Sequence, residues 1–339
     1  MSRHPPEKSS TLLDGQDSTS LSDSVASSEG ENTSTSPHFE WQSGTNFSSY
    51  PSIPTPLKNA LESMGNGSTP PSSPLSFLPP LKDTLMEKFY TVREAMGGAL
   101  VVSPNPGRLN QVLLVGLNSG SRLQEMVKAY PDTRFTGMDV DMDPEWMATQ
   151  PDCRFHRVTD FSEPLPIRDG RMDLVSQHLM YLHIGYSSWK PLLQEYFRIL
   201  RPGGCIDMME VDALVIRGGE CVGKLNRWFE RTIQANGVPH RATRRIRPLL
   251  NATGFVDTEV RIVSVPVGPW AGRMGVSGMR LSFQHYAHFQ EQIFKVHPEL
   301  TMEEFERTIA QALLEINEFH AYRNVFVYTA RKPQNNDAE

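Results

Sequence analysis

The feature of this sequence that most constrains its fold is a short apolar segment that leads directly into a turn framed by glycines. Residues 112–115 are all apolar, and Gly116 and Gly120 bound the turn that follows them. An unbroken apolar run of this length predicts a strand buried on both faces, and glycine adopts turn conformations closed to other residues. We therefore predict a strand over Gln111–Val115, a tight turn and then a helix over 123–130.

The same alternation of short apolar runs and amphipathic segments continues along the chain. Further strands are predicted over 134–139, 153–157, 172–177, 205–211, 259–265 and 325–330. Helices are predicted over 81–96, 187–200, 222–236, 244–252 and 301–318. The sequence Arg-Pro-Gly-Gly at 201–204 is expected to stop the helix before it, because proline cannot continue a helix and glycine permits a left-handed turn. Alternating strands and helices predict an open, mainly parallel α/β sheet.

The first 80 residues have a different composition from the rest of the chain. They contain 20 Ser, 7 Thr and 11 Pro, a composition that buries too little apolar surface to offset chain entropy. We predict a disordered tail over 1–80, a folded domain over 81–333 and a disordered end over 334–339. The spaced aromatic residues Phe39, Trp41 and Tyr50 interrupt the tail. They suggest a segment that docks on the domain or on a protein partner.

The formal net charge of −6 is concentrated in the tail, which holds eight acidic and three basic residues. The remainder is close to neutral, so it lacks the overall positive field that gathers nucleic acid or anionic membrane, and we predict neither as a partner. No apolar run is long enough to span a membrane, and the polar N-terminus does not resemble a secretory signal.

Cys153, Cys205 and Cys221 match neither a zinc site nor a disulfide framework, which predicts reduced thiols in an intracellular protein. We expect a cytoplasmic location, with the nucleus as the alternative. The one basic cluster, 241–247, is interpreted as a solvated helix face in preference to a nuclear-import signal or an anion site.

Two aspartates follow later strands of the predicted sheet. Asp139 ends the strand over 134–139, nineteen residues beyond Gly120, and Asp160 follows the next strand. In doubly wound sheets, nucleotide-like ligands lie at the carboxyl ends of the strands. A carboxylate at the end of the second strand can accept two hydrogen bonds from a ribose diol, and Asp160 is placed to accept one from an adenine amine. Together with the glycine turn, this pattern predicts an adenosyl cofactor.

Here the sequence resembles the class I S-adenosylmethionine-dependent methyltransferases, and in particular their fungal LaeA-like branch. The resemblance spans about 37–333. It rests on the glycine turn at 112–120, Phe-Thr-Gly-Met-Asp at 135–139, Asp-Phe at 160–161, residues 173–177 and Leu-Arg-Pro-Gly-Gly at 200–204. It implies a Rossmann-like seven-stranded sheet, mostly parallel with an antiparallel last strand, and a helical insertion over about 268–318 that covers the substrate.

The resemblance also implies roles for individual residues. Gly116 and Gly120 would line the methionine end of S-adenosylmethionine, and Asp139 would hold its ribose. Asp160 and Phe161 would contact the adenine, and Gln177 and His178 would lie near the methyl group. The full predicted cofactor-binding set is Gly116, Asn118, Gly120, Asp139, Val140, Asp160, Phe161 and Gln177.

Two positions depart from the family pattern. Leu114 stands where the family usually has an acidic residue, and Asn118 stands where it has a central glycine. The first removes a carboxylate that would orient the loop and the amino group of the cofactor. A lost hydrogen bond to a charged group corresponds to about tenfold to a hundredfold in affinity. We therefore expect weaker cofactor binding.

Catalysis of this type requires mainly that nucleophile, methyl carbon and sulfur are aligned and that water is excluded. His178 is our candidate for a general base, ahead of His183, His285 and His288, although packing or surface roles are commoner for such histidines. We predict no metal, because no third ligand accompanies His285 and His288. The residues Met274, Met279, Phe283, Tyr286 and Phe289 suit either a substrate pocket or the core face of a helix.

Three functions are consistent with these features. The leading hypothesis is a methyltransferase that acts on a small, apolar, aromatic fungal secondary metabolite. The second is a regulator of secondary metabolism that acts through protein partners with weak or no catalytic activity. The third, a dinucleotide-dependent oxidoreductase, is disfavoured because the three-glycine fingerprint is missing.

Overall fold

The computed structural model describes residues 73–79, 81–104, 106–238 and 241–334. Most of the predicted tail, including its aromatic segment, and residues 335–339 of the predicted disordered end lie outside these ranges. Residues 73–79, which fall within the predicted tail, form a turn. In it, the ring of Phe77 packs edge-on against that of Phe283, with centroids 6.4 Å apart. The boundary at residue 80 remains a prediction.

Seven strands form a single sheet in the order β3-β2-β1-β4-β5-β7-β6. The strands are β1 Gln111–Val115, β2 Arg134–Asp139, β3 Arg154–Arg157, β4 Met172–His178, β5 Leu200–Val211, β6 Val256–Pro266 and β7 Tyr322–Arg331. β7 runs antiparallel between β5 and β6, and the pairings among β1 to β5 are parallel. The predicted Rossmann-like α/β fold is confirmed.

β1 lies in the middle of the parallel part of the sheet, between β2 and β4. Its residues 112–115 are completely buried, as their continuous apolar character predicts. β2 and β4 are likewise buried along most of their length. The carboxyl ends of these strands therefore meet at one edge of a rigid sheet.

Helices pack on the sheet and at its edge. They are α1 Leu81–Ala95, α2 Ser121–Ala129, α3 Pro144–Ala148, α4 Trp189–Ile199, α5 Gly219–Ala235, α6 Ala242–Thr253, α7 Gly272–His288, α8 Gln290–Val296 and α9 Met302–Glu318. Thr301 caps α9 as predicted, because its hydroxyl accepts a hydrogen bond of 3.1 Å from the N–H of Glu304. The short α3 is not predicted from the sequence. It begins where Asp143 accepts hydrogen bonds from two backbone N–H groups and Pro144 occupies the first turn.

As expected, the helix before residues 201–204 ends ahead of them, at Ile199, and Gly203 has a left-handed φ of 74°. The predicted start of the next strand at residue 205 is wrong. β5 starts at Leu200, directly after α4, and includes the Arg-Pro-Gly-Gly sequence. The N–H of Gly203 donates to the carbonyl of Lys332, and the N–H of Lys332 donates to that of Gly204. The strand is extended because a distant part of the chain pairs with these residues, which local sequence does not reveal.

The glycine-rich segment 268–278 is largely helical, since α7 begins at Gly272. A Cβ atom at Gly275 would overlap the carbonyl oxygen of Gly268, and one at Gly278 would overlap that of Pro266. These glycines let the helix backbone lie directly against the chain at the end of β6. Further along α7, Met279, Phe283 and Tyr286 are buried in the main core cluster. Of the two roles considered for these residues, the structure shows the core face.

α1 bridges α7 and α2. Glu87 accepts hydrogen bonds from the hydroxyl of Ser277 at 2.6 Å and from Nη1 of Arg280 at 3.2 Å. At the other side of the helix, Arg93 forms an ion pair of 3.0 Å with Glu125 of α2. α1 is thus held across the carboxyl edge of the sheet.

The basic cluster 241–247 lies at the start of α6, and its arginines are exposed. Nη1 of Arg245 donates to the hydroxyl of Tyr186 at 2.6 Å, and Arg244 lies 3.7 Å from the buried carboxylate of Asp212. These contacts agree with a solvated helix face. Within the described ranges, no helix has the length and apolar character required to cross a membrane.

Candidate functional site

The candidate site lies where the chain leaves β1, β2, β4 and β5, at the carboxyl ends of the parallel strands. Crossover connections leave a crevice at such an edge, and ligands of doubly wound sheets bind there. The predicted residues Gly116, Asp139 and His178 end or follow three neighbouring strands. The register pairs Val115 with both Met138 and Gln177, which brings these ends to the same level.

The turn after β1 is built from three residues in the left-handed region. Gly116 has φ 78°, Asn118 has φ 52° and Gly120 has φ 78°. Asparagine tolerates this conformation better than most residues with side chains. The Asn118 side chain folds back on the turn, because its Nδ2 donates to the carbonyl of Gly116 at 3.1 Å. Asn118 thus occupies a left-handed conformation that glycine would adopt freely.

Asp139 ties this turn to the end of β2. One carboxylate oxygen accepts from the N–H of Asn118 at 3.0 Å, and the other accepts from the N–H of Val140 at 2.7 Å. The residue is buried, with 6 % of its surface exposed. A carboxylate has about four acceptor positions, so Asp139 retains capacity for a ribose diol. In this structure its two hydrogen bonds hold the turn in place.

Asp160 and Phe161 follow β3 and differ in exposure. Asp160 is exposed, and one of its oxygens accepts from both the N–H and the hydroxyl of Ser162. The hydrogen bonds from Ser162 lower the pKa of Asp160 below its ordinary value. Phe161 is buried in the main core cluster. The predicted adenine contacts of this pair remain predictions.

Gln177 is completely buried and belongs to a hydrogen-bond network within the domain. Its Nε2 donates to Glu210 at 2.6 Å, and its Oε1 accepts from the hydroxyl of Tyr196 at 2.7 Å. Since both ends of the amide are engaged, we interpret Gln177 as a support beneath the edge. Its predicted contact with the cofactor remains a prediction.

Glu210 is a residue that the sequence analysis did not identify. Besides Gln177, its carboxylate accepts from the backbone N–H groups of Met180 and Tyr181, which follow β4. Burial raises its pKa to about 7, and these hydrogen bonds only partly offset the effect. Glu210 therefore fixes the chain after β4 much as Asp139 fixes the turn after β1. The sequence pattern that could have identified Glu210 is an acidic residue near the end of an apolar strand. Asp139 was identified from the same pattern.

His178 ends β4, with 8 % of its surface exposed and no hydrogen-bond partner for its Nε2. Burial, followed by the nearby charges of Arg122 and Lys88, holds its pKa well below the ordinary value. The imidazole is therefore neutral at physiological pH and is a weak base. Its role as a general base remains a prediction.

The other histidines considered have different environments. Nδ1 of His285 lies 2.7 Å from Nη1 of Arg323, and its ring stacks on that of Phe229. Burial lowers the pKa of His285 well below its ordinary value. His183 and His288 are exposed. In the described part of the chain, no three His, Cys, Asp or Glu residues gather as metal ligands would.

Two basic residues that the sequence analysis did not identify reach this edge. Lys88 comes from α1 and Arg122 from the first turn of α2. With Asn118 and His178, they line a cavity of about 20 Å³ between α1 and the sheet. The position of Arg122, two residues after Gly120, is visible in the sequence. That of Lys88 is not, because only the packing of α1 brings it there.

Residues 112–204 match the family model described as a methyltransferase domain. The chain is 26 % identical over 281 residues to the "Secondary metabolism regulator LAE1" of Cochliobolus heterostrophus, covering 75 % of this chain and 88 % of that protein. It is 24 % identical over 277 residues to the "Protein-methionine methyltransferase laeA" of Emericella nidulans, covering 74 % and 69 %.

A solved structure, the YcgJ protein of Bacillus subtilis, aligns with a TM-score of 0.44 and 14 % identity, covering 73 % of this chain and 99 % of that one. The resemblance stated from the sequence is confirmed by the family model and the relatives together.

Proposed function

Because the chain is an S-adenosylmethionine-dependent methyltransferase of the fungal LaeA-like branch, we propose that it transfers methyl groups in the control of secondary metabolism. The observation that carries the proposal is the turn after β1, held by Asp139 at the carboxyl edge of the sheet. This arrangement supports a cofactor site at this edge although Leu114 and Asn118 depart from the family pattern.

The described residues fit the cofactor at this edge. Asp139 has free acceptor capacity for the ribose, and Val140, Asp160 and Phe161 follow it on the adenine side. On the methionine side, His178 and Arg122 carry buried nitrogen atoms that have no partner in the protein. When bound, S-adenosylmethionine supplies a methyl group already activated by its positive sulfur. The chain contributes binding, alignment and the exclusion of water.

We favour a protein side chain as the methyl acceptor. A preformed site for an aromatic metabolite needs a sizeable apolar pocket, yet Met279, Phe283 and Tyr286 are used in the core. The cavity at the edge has a volume of only about 20 Å³. The relative from Emericella nidulans is named a protein-methionine methyltransferase. An extended side chain such as methionine needs less enclosed space than a polycyclic metabolite.

The second candidate acceptor is a small, apolar secondary metabolite. The observation in its favour is the position of α1, which covers the edge. If α1 moves outward when ligands bind, the same surface would close over a small molecule. In both cases the proposed location is the cytoplasm or, for a regulator, the nucleus, and the predicted tail over 1–80 would provide a site for a protein partner.

Metabolite profiling of a strain that lacks the gene tests this proposal. The strain is complemented with the unaltered chain, with Asp139→Ala, or with residues 1–80 deleted. Loss of many unrelated products, restored by the unaltered chain and not by Asp139→Ala, would support regulation that requires the cofactor site. One accumulated precursor, lighter by one methylene than the missing product, would instead identify a metabolite as acceptor. Full rescue by Asp139→Ala would contradict a role for methyl transfer.

A further inference from the structure

Strand β6 lies at one end of the sheet, and in the described ranges β7 is its only neighbouring strand. The free part of its outer edge has two limits. At one end, the register with β7 shifts between Val256 and Glu259, which marks a β-bulge. At the other end, α7 covers the chain, since the N–H of Gly268 donates to the carbonyl of Gly275 at 2.8 Å. Residues 258–264 lie between these limits.

The hydrogen bonds of β7 show which backbone groups of β6 point outward. Asn324, an even-numbered residue of β7, accepts a hydrogen bond from the N–H of Asp212, directly after β5. Successive residues of an antiparallel strand bond to opposite sides, so the odd-numbered residues of β7 bond to β6. Their register partners on β6 are also odd-numbered, from 259 to 265. The N–H and C=O groups of residues 258, 260, 262 and 264 therefore point away from β7, and in the described part of the chain no other backbone group bonds to them.

The side chains along this edge suit pairing with another strand. Ile262 is a large apolar residue with 55 % of its surface exposed. Glu259 and Arg261 are exposed and carry opposite charges two residues apart. Free backbone groups on an exposed strand are a template for a further strand, and edges that carry charges usually prevent such pairing. Here the two charges differ in sign, so they attract an antiparallel strand that presents them in the reverse order.

We propose that β6 pairs with β6 of a second copy of this chain, antiparallel about a twofold axis at Val260. In this register Glu259 of each copy lies opposite Arg261 of the other, and Thr258 lies opposite Ile262. Opposite charges at facing positions stabilise a strand pair, and like charges destabilise it. Moving the axis by one residue in either direction would place two glutamates or two arginines face to face. The charges therefore select both the register and the partner.

The pairing joins two seven-stranded sheets into one continuous sheet. β6 runs in the same direction as β5, because β7 is antiparallel to both. Antiparallel contact between the two β6 strands therefore turns the carboxyl edges of the two copies to opposite sides. Each copy keeps its own candidate site, and dimer formation requires neither the cofactor nor the methyl acceptor.

Sedimentation velocity of the full chain, at concentrations from about 1 to about 200 μM, measures the association. We expect a monomer–dimer equilibrium in the micromolar range, because one short strand pair buries little surface. Ile262→Pro removes an outward N–H that β7 does not use, so the monomer should tolerate it. It should weaken the dimer at least about tenfold. Ile262→Thr keeps the N–H and the β-branched shape, and as the matched control it should weaken the dimer less than about fivefold.

Charge reversal tests the register, with the folding of each variant checked by urea denaturation. Glu259→Arg alone, or Arg261→Glu alone, puts like charges at both facing positions, and each should weaken the dimer at least about tenfold. Mixing these two variants should restore the dimer, because one then carries arginine and the other glutamate wherever the copies face each other. Glu291→Arg, at an exposed carboxylate on α8, is the matched control and should dimerise like the unaltered chain.

Two results would overturn the proposal. The first is an unaltered chain that stays monomeric at the highest concentration. If the backbone amides of residues 260–264 resist hydrogen exchange in that monomer, the edge is covered by the chain's own residues 1–72 and not by a second copy. The second is a dimer that neither Ile262→Pro nor charge reversal weakens, which would place its interface elsewhere on the chain.

Discussion

The carboxylate of Asp139, at the end of β2, accepts a hydrogen bond of 3.0 Å from the backbone N–H of Asn118 in the turn after β1. This bond joins the two parts of the chain that we propose to contact the cofactor. A glycine turn by itself is conformationally free. Fixing it from the neighbouring strand reduces the entropy that a ligand would otherwise lose on ordering it.

Replacing Asp139 tests this relationship. Asp139→Asn preserves the shape of the side chain but puts an NH₂ group in place of one acceptor, opposite a backbone N–H. We expect the free energy of unfolding to fall by about 1–3 kcal/mol, measured by urea denaturation. The affinity for S-adenosylhomocysteine should fall at least about tenfold. Asp141→Asn, an exposed carboxylate two residues further on, is the control. Unchanged binding by Asp139→Asn would contradict the role assigned to this residue.

Replacing Asn118 with glycine, which the family usually has at this position, is expected to change stability and ligand affinity only slightly. Asn118→Gly relieves a positive φ but loses the hydrogen bond from Nδ2 to the Gly116 carbonyl. These effects oppose each other, so the free energy of unfolding should change by less than about 1 kcal/mol and ligand affinity by less than about threefold.

Asn118→Val provides the contrast, because a β-branched residue at positive φ is strained. We expect it to lower both stability and affinity. A large gain in affinity for Asn118→Gly, measured by calorimetry, would show instead that the asparagine side chain obstructs the site.

The close approach of α7 to the end of β6 predicts that Gly275 cannot accept a side chain. In Gly275→Ala, the new Cβ would overlap the carbonyl oxygen of Gly268, which is backbone and cannot rotate away. We expect a loss of about 1–3 kcal/mol in the free energy of unfolding. The matched control is Gly223→Ala within α5, where the new Cβ would meet the flexible end of Arg227 at 3.5 Å. There alanine should raise stability by about 0.5–1 kcal/mol. Equal effects at the two sites would refute the close packing.

The buried carboxyl group of Glu210 should make stability depend on pH. Its pKa is about 7 in the folded chain against an ordinary value of 4.5. Between these values the folded state binds a proton that the unfolded state has released. The free energy of unfolding should therefore fall as pH rises from about 5 to about 7, and change little through this group above that range.

Urea denaturation at about pH 5.5 and pH 8 measures the effect. Glu210→Gln does not titrate and should reduce the difference between the two pH values. Glu291→Gln is the control, since the hydrogen bond from Lys295 keeps the pKa of Glu291 below its ordinary value and out of this pH range. If Glu210→Gln retains the whole difference, then Glu210 is not its source.

Most strands of the sheet were predictable because a buried strand is recognised from a short apolar run, such as residues 112–115, without knowledge of distant parts of the chain. The start of β5 at Leu200 was not, because its first residues pair with the end of the chain around Lys332. The same distinction applies at the site. Asp139 and the glycine turn follow from strand order, whereas Lys88 reaches the edge only through the packing of α1 on α7.

The sequence alone determined the alternation of most strands and helices, the edge of the sheet at which the predicted site residues gather, and the resemblance to methyltransferases. These properties depend on hydrophobic periodicity and on residues close together along the chain. Only the tertiary structure decided what fills that edge. It assigned the aromatic residues of α7 to the core, gave Glu210 and Arg122 their buried positions, and placed α1 over the turn. Burial of a polar group depends on which distant segments exclude water from it, and that arrangement exists only once the chain has folded.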